Sequence, residues 1–324
     1  MLRILTFIAC LLCIAGFTEY FSFSSWADSS QDNTVNKDTS NKSERFLARA
    51  EQEPDKKSVQ NETDGPENNL KKNPTLAIGL LNKSREKLLA YSSIRAQITE
   101  KVSIGPKPFV IKGSYLQGKD LKLRLEFQVQ SQKKDGKPIG TLLEICDGQV
   151  LWTEHNIKGN ARVTRRDVQA ILKQAELNPK SRPNRLVAEV GLGGLPGLLA
   201  SIEKTMKFDS VAEKTVNGKT LTVINGTWKN EFLAQLKGGN PQSPVELPAY
   251  VPDAVKIYLD PETLFPRRIV YLKKKEDTIE NMVSLSFTKV SLNAPISATE
   301  FAYEPPDGVF PVDTTHQYLK QLTQ

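Results

Sequence analysis

A cysteine and a histidine are the residues of this sequence whose types could support nucleophilic chemistry. Cys146 precedes Asp147-Gly148, a dipeptide typical of a tight hairpin turn, so His155 on the next strand could lie across the ladder from it. Such a pair can act as nucleophile and base. However, no third group that would orient the histidine is evident, and cysteine is a common buried strand residue. We therefore interpret Cys146 as a core residue and predict no enzymatic activity.

Two further motifs could bind charged ligands. The glycine-rich run at 191–197 lacks the Gly-Lys-Ser/Thr ending of a phosphate loop, so we interpret it as a flexible start to a helix. The basic run at 273–275 has no accompanying aromatic residues, which favours a solvated strand end over a nucleic-acid site. The two histidines, His155 and His316, are far apart in the sequence. We expect no cofactor, no metal and no nucleic-acid partner.

The first residues have the layout of a secretory signal peptide. Arg3 precedes an uncharged apolar run at 4–17, and Ser25-Trp26-Ala27 places small residues at the −3 and −1 positions of a cleavage site. The run is shorter than the roughly 20 residues that a spanning helix needs. We expect export, with cleavage after Ala27.

An uncleaved membrane anchor is the alternative, because residues 18–27 still contain four aromatic side chains. If cleavage occurs, Cys10 and Cys13 leave with the signal peptide. The exported protein then keeps only Cys146, so no internal disulfide is expected.

Residues 28–74 are predicted to be a disordered linker. They are polar and contain few large apolar side chains, so they cannot bury enough surface to offset their ordering entropy. They carry eight basic and ten acidic residues, and residues 1–27 carry one of each. The chain's net charge is +7, so the remaining 250 residues, 75–324, carry +9, and we expect them to form one folded body that suits an acidic partner.

Alternating hydrophobicity dominates this body. Residues 94–102, 109–116 and 121–130 are predicted strands, and the last has the clearest alternation. Its apolar face is made of four residues: Leu123, Leu125, Phe127 and Val129. The turn dipeptides Asp147-Gly148 and Asn217-Gly218 predict two hairpins. Three more strands are predicted at 253–260, 267–274 and 282–292.

Helical periodicity occurs in three places. Residues 75–91 form a predicted amphipathic helix, 166–177 a second one with Thr164 as its N-cap, and 195–208 a third. The third has one apolar stripe: Leu195, Leu198, Leu199, Ile202 and Met206. About nine or ten strands with inserted helices exclude a doubly wound fold. They favour a mainly β, α+β chain with one curved antiparallel sheet.

Three sequence blocks, in order, resemble the periplasmic lipoprotein-carrier superfamily typified by LolA, which includes the sensing domain of RseB. Residues 89–102 are similar to its opening helix end and first strand. Residues 143–152, with Asp147-Gly148 and Trp152, are similar to its "sDGk.lW" hairpin, and residues 300–313 to its closing "F.f.pP.Gv.v.D" segment. Together the blocks span about 89–313.

This resemblance implies an incomplete β-barrel, a curved sheet covered by a helical lid, with a hydrophobic cavity for acyl chains between them. Its cavity wall would combine the lid stripe with these residues of the sheet: Leu123, Leu125, Phe127, Val129 and Trp152. The same side chains could instead be a filled core. Two features depart from the family pattern: residues 117–120 lack the arginine that LolA has near its early barrel strand, and the insert at 155–194 is long.

The sequence thus predicts an exported, non-enzymatic carrier of a lipid or an acylated lipoprotein, with a possible anionic membrane surface as a second partner. With the export signal, the resemblance implies the periplasm of a double-membrane bacterium. One alternative is an envelope sensor of the RseB type, bound to a signalling protein. Another is an anchored structural surface protein with a filled core.

Overall fold

The computed structural model describes residues 68–104, 108–130, 138–157, 159–177, 194–240, 242, 246–276 and 278–323. The predicted signal peptide and most of the predicted linker lie outside the described residues, as does the first part of the glycine-rich run, 191–193. In the described part, no helix is both long and apolar enough to cross a membrane.

The described strands number thirteen: β1 (Asn68–Lys72), β2 (Ser93–Val102), β3 (Phe109–Gly118), β4 (Lys122–Gln130), β5 (Pro138–Asp147), β6 (Val150–Ile157), β7 (Asn160–Asp167), β8 (Met206–Val216), β9 (Lys219–Trp228), β10 (Ala254–Leu259), β11 (Pro266–Lys275), β12 (Thr278–Leu292) and β13 (Val312–Asp313). The described helices are α1 (Pro74–Ala90), α2 (Val168–Leu177), α3 (Gly194–Thr205), α4 (Asn230–Leu236) and α5 (Thr315–Thr323), with a 3₁₀ turn at Ala298–Phe301.

All thirteen strands belong to one curved sheet that does not close. Their order is β1-β8-β9-β10-β11-β12-β2-β3-β4-β5-β6-β7-β13, and only the short β13–β7 pair is parallel. The predicted fold class, a curved antiparallel sheet forming an incomplete barrel with helices, is confirmed. Because β12 pairs with β2, the two halves of the chain meet in the middle of the sheet.

Both predicted hairpins are confirmed, and their turns have the backbone that the sequence requires. Asn217 and Gly218 have φ angles of 50° and 77° between β8 and β9. Gly148 has a φ angle of 99° between β5 and β6, where L side chains are strained and glycine is not. The Asp147 carboxylate accepts hydrogen bonds from the N–H groups of the two residues that follow Gly148, which closes the turn.

The sheet begins earlier than the sequence indicated. Asn68–Lys72, the last part of the predicted linker, forms β1 and pairs with β8. The Asn73 side chain then accepts the N–H of Leu76 at 3.0 Å and caps α1, with Pro74 at the first helical position. The predicted helix at 75–91 is confirmed as α1.

Two helix boundaries differ from prediction. α2 begins at Val168, not at 166, because the Asp167 carboxylate accepts the N–H of Ala170 at 2.8 Å and acts as its N-cap; Thr164 lies inside β7. α3 ends at Thr205, so Met206 is the first residue of β8 and not the last of a helical stripe. There the alternation of buried and exposed residues along β8 prevails over the helical spacing.

One face of the sheet packs against α1 and α3, and we call it the inner face. The main core lies between this face and the two helices. α1 contributes a stripe of Ala77, Leu81 and Leu88, all fully buried. α3 lies deeper than α1, because seven of its twelve residues are buried.

The basic run does not behave as a solvated strand end throughout. The Lys273 ammonium donates to the main-chain carbonyls of Leu247 at 3.0 Å and Val251 at 2.9 Å. It thereby holds the segment before β10 against β11. Lys274 and Lys275 are exposed, as expected.

Candidate functional site: the interior beneath α1 and α3

The apolar strip of β4 lies on the inner face as its alternation predicts. Its four residues are each no more than 9% exposed: Leu123, Leu125, Phe127 and Val129. Across the ladder, Leu123 faces Cys146 and Phe127 faces Leu142, so β5 continues the apolar surface. The structure brings these strand residues together with α3 in one cluster.

Trp152 does not belong to this interior, which corrects its assignment to the cavity wall. On β6 it is Leu151 that joins the main core, opposite Cys146, so the neighbouring Trp152 lies on the outer face. Its ring packs against Tyr303, with 5.5 Å between the ring centroids. The Tyr303 hydroxyl donates to Glu154 at 2.8 Å. Trp152 therefore helps to hold the closing segment of the chain against the outer face.

The predicted stripe of α3 faces the interior in large part. Leu195, Leu199 and Ile202 are buried, and Leu198 is half-buried and packs against the same cluster. Met206 is buried there too, although it belongs to β8. Whether these side chains line a ligand cavity stays a prediction; the structure establishes that they form one apolar interior.

α3 is attached to the sheet at its first turn. The Tyr115 hydroxyl on β3 accepts the N–H of Leu195 at 2.9 Å and donates to the side chain of Gln117. Gly194 permits this approach: its φ angle is 52°, and a Cβ there would lie 2.5 Å from the tyrosine oxygen. Burial raises the pKa of Tyr115, so the hydroxyl keeps its proton at any physiological pH.

α1 covers α3 and is fastened to a different part of the sheet. Arg85 on α1 forms an ion pair with Glu203 on α3, and both side chains are partly exposed. Three other polar side chains of this region donate to carbonyls of the loop between β10 and β11: Ser84 to Leu264 at 2.7 Å, Lys87 to Glu262 at 2.7 Å and Tyr91 to Thr263 at 3.1 Å. The two helices thus have separate polar attachments to the sheet.

Glu100 is the residue of the interior that the sequence analysis missed. It lies on β2 between Ile98 and Val102, in the alternation that sends every second side chain to the inner face, and it is 1% exposed. Within the described part of the chain its Oε1 atom has no hydrogen-bond partner. Burial raises the pKa of this carboxyl from its ordinary value of 4.5 to about 8. The alternation of apolar residues along 94–102 could have identified it, because it places position 100 on the inner face.

The Cys146 and His155 pair is not arranged for catalysis. Cys146 pairs across the ladder with Leu151 and His155 with Leu142, which separates the two side chains by four residues, about 13 Å, along one face. Burial raises the pKa of the Cys146 thiol to about 11. Burial, with Arg162 and Arg166 nearby, lowers the pKa of His155. The geometry supports the interpretation of Cys146 as a core residue.

No cluster of three or more metal-ligating side chains is present among the residues that the structure describes. The interior is defined by its apolar surface. Its architecture is that of an unclosed curved sheet with two helices, α1 and α3, packed against its inner face.

Solved structures that include LolA superfamily and MucB proteins are similar to this chain at low sequence identity. No protein-family model matches the sequence, and no curated protein matches it significantly. The similarity is to solved structures and concerns the course of the chain.

Three of these structures represent the range. LprF from Mycobacterium bovis matches with 12% identity and a TM-score of 0.36, over 70% of this chain and 97% of that one. A LolA superfamily protein from Nitrosomonas europaea matches with 10% identity and a TM-score of 0.27, over 70% and 97%. The Pseudomonas aeruginosa MucA/MucB complex matches with 11% identity and a TM-score of 0.35, over 71% of this chain and 62% of that one.

Proposed function

We propose that the chain is an exported, non-enzymatic carrier that holds acyl chains between the inner face and the helices α1 and α3. The observation that carries the proposal is the form of the interior. An open sheet presents a continuous apolar face, and the first turn of the helix that lies against it donates a hydrogen bond from Leu195 to Tyr115 of the sheet.

The composition of this interior suits a flexible hydrocarbon. Its residues are mainly leucine, isoleucine, valine and phenylalanine, which bind by area and shape and not by directed hydrogen bonds. Burial of an acyl chain contributes about 0.8 kcal/mol for each CH₂ group, so a diacyl ligand needs no special residue for high affinity. In the carrier, the ligand's chains replace α3 against the β4 strip.

Movement of α3 is the step that admits the ligand. The helix would leave the inner face by breaking the Leu195–Tyr115 hydrogen bond and the Arg85–Glu203 ion pair. A partly exposed ion pair contributes about 1 kcal/mol or less, and a buried hydrogen bond about 1 kcal/mol. The main cost of opening is thus the exposure of apolar surface, which an acyl chain offsets.

Organic extraction followed by mass spectrometry tests the proposal directly. Residues 28–324 should be recovered from the exported fraction and extracted alongside an unrelated exported protein as a control. We expect an acylated species at a stoichiometric amount. Its absence from a folded, fully extracted sample would contradict the carrier function. A stoichiometric protein partner in that sample would favour the sensor, and retention of residues 1–27 without lipid would favour the anchored structural protein.

Tyr115→Phe should weaken the attachment of α3 without changing the apolar interior. The variant leaves the Leu195 N–H without its partner, so we expect a loss of about 1–2 kcal/mol in the free energy of unfolding. In a carrier it should also accelerate exchange of a fluorescent fatty acid several-fold. Urea unfolding and stopped-flow fluorescence measure the two effects.

Tyr91→Phe is the matched control. It removes a tyrosine hydroxyl that donates to Thr263 and leaves α3 untouched. If both variants exchange the fatty acid at the same rate, α3 is not the element that opens.

A further inference from the structure

The carboxyl of Glu100 is a polar group in an apolar interior, and its Oε1 atom has no hydrogen-bond partner among the residues that the structure describes. Its neighbours along β2 are Ile98 and Val102, and its partners across the ladders are Ile111 on β3 and Leu285 on β12. All four are buried members of the main core. A buried polar group that makes no hydrogen bond costs about 1–3 kcal/mol, so its retention here calls for a partner that the free protein does not supply.

The surroundings of Glu100 determine whether a partner would meet its neutral or its ionised form. Burial raises the pKa of Tyr271 on β11, and the charge of Glu100 raises it further above the usual range. No basic side chain is paired with Glu100 among the described residues. An ionised carboxylate in such a site would be uncompensated, so the carboxyl is held as the neutral acid at neutral pH.

A neutral carboxylic acid has one O–H donor and one carbonyl acceptor. A hydroxyl group on a ligand complements both, because it accepts from the acid O–H and donates to the acid carbonyl. A phosphate would be repelled once the acid ionised, and an ammonium would require a buried charge pair with no further hydrogen bonds to support it. An uncharged hydroxyl is therefore the group that this position suits best.

We propose that Glu100 anchors the free hydroxyl of a neutral acyl lipid, such as a diacylglycerol, whose chains lie along the inner face. This inference rests on the proposed carrier function and names the ligand class of the same interior. It assigns the orientation of the bound lipid as well as its chemical class. Glu100 lies two residues from the end of β2, next to the half-buried Ile104 and Phe109 that pack against the core, so the polar end of the ligand would be near this end of the barrel.

The test uses two probes that differ only at this hydroxyl: 1,2-dioleoylglycerol and its 3-O-methyl ether. Each should displace a fluorescent fatty acid from residues 28–324. We expect the wild-type chain to bind the free hydroxyl about ten-fold more tightly than the ether. Glu100→Leu should bind both probes equally. Glu100→Gln, which keeps a donor and an acceptor, should retain most of the preference.

The outcomes separate this inference from the carrier function. If the wild-type chain binds both probes with equal affinity, or if Glu100→Leu retains the preference, Glu100 is not the anchor and the carrier function stands. If neither probe nor the fatty acid binds to any folded variant, the carrier function itself fails. Folding is not a confounding factor, because Glu100→Leu replaces an unpaired polar group by an apolar one and should unfold at the same or a higher temperature.

Discussion

The wild-type protein should lose stability as the pH rises from 5 to 8, and Glu100→Gln should lose much less. In the folded state the Glu100 carboxyl keeps its proton up to a pH of about 8, whereas in the unfolded state it releases the proton near the ordinary value of 4.5. Between these values the folded state binds more protons, so the free energy of unfolding decreases as pH rises. The contribution of this carboxyl to stability is fully present below a pH of 4.5. It is lost by a pH of about 8 and does not change further at higher pH.

The expected difference is large because the slope approaches 1.4 kcal/mol per pH unit within this window. From pH 5 to pH 8 the wild-type chain should lose on the order of 4 kcal/mol relative to Glu100→Gln. The glutamine has a similar shape and does not ionise. Urea unfolding at half-unit steps of pH measures both curves. Parallel curves for the two proteins would show that the carboxyl is paired or hydrated in the folded state.

Leu199→Ala should produce the second large effect, a loss of about 2–5 kcal/mol in the free energy of unfolding. Leu199 is 0% exposed and lies at the centre of α3, between the inner face and α1. Its truncation removes buried methyl groups and leaves a cavity that the surrounding strands cannot close.

Leu198→Ala is the matched control, because the neighbouring leucine of the same helix is only half-buried. We expect it to cost less than half as much. Equal losses for the two variants, measured by urea unfolding at a fixed pH, would mean that α3 does not pack against the sheet in the orientation described.

Much of the architecture could be predicted because local signals and the fold agree. The alternation along β4 identified its inner face, and the Asp147-Gly148 and Asn217-Gly218 turns located two hairpins. The three predicted strands at the C-terminal end of the body correspond to β10, β11 and β12. In each case a short stretch of sequence contains both the pattern and its boundaries.

The predictions that are wrong concern residues whose placement depends on pairing with another strand. Trp152 was assigned to the interior, but its face depends on the register of β5 and β6 against β4, and a shift of one residue reverses the face of every side chain. Met206 satisfied the helical spacing of α3, yet pairing with Trp228 on β9 makes it part of β8. The pairing of β1 with β8 links residues more than 130 positions apart, which no local pattern in a polar stretch reveals.

Glu100 was missed for a different reason. A glutamate in a strand is ordinarily assigned to the solvent face, although here the spacing of Ile94, Ala96, Ile98 and Val102 already placed position 100 inside. The residue that breaks the expected polarity of a strand is the one most informative about function in this interior.

The two ends of the open sheet have a consequence for self-association. Among the described residues, the unclosed sheet leaves the outer edges of β1 and β13 with main-chain groups that no other strand pairs. β13 is only two residues long. β1 has an irregular register between Asn68 and Lys71, a positive φ angle of 58° at Asn69, and exposed Lys71 and Lys72. Short length, a local irregularity and charge are the features by which edge strands resist aggregation. In the proposed carrier, where the barrel stays open, we expect these edges to keep the molecule separate from its own copies at high concentration.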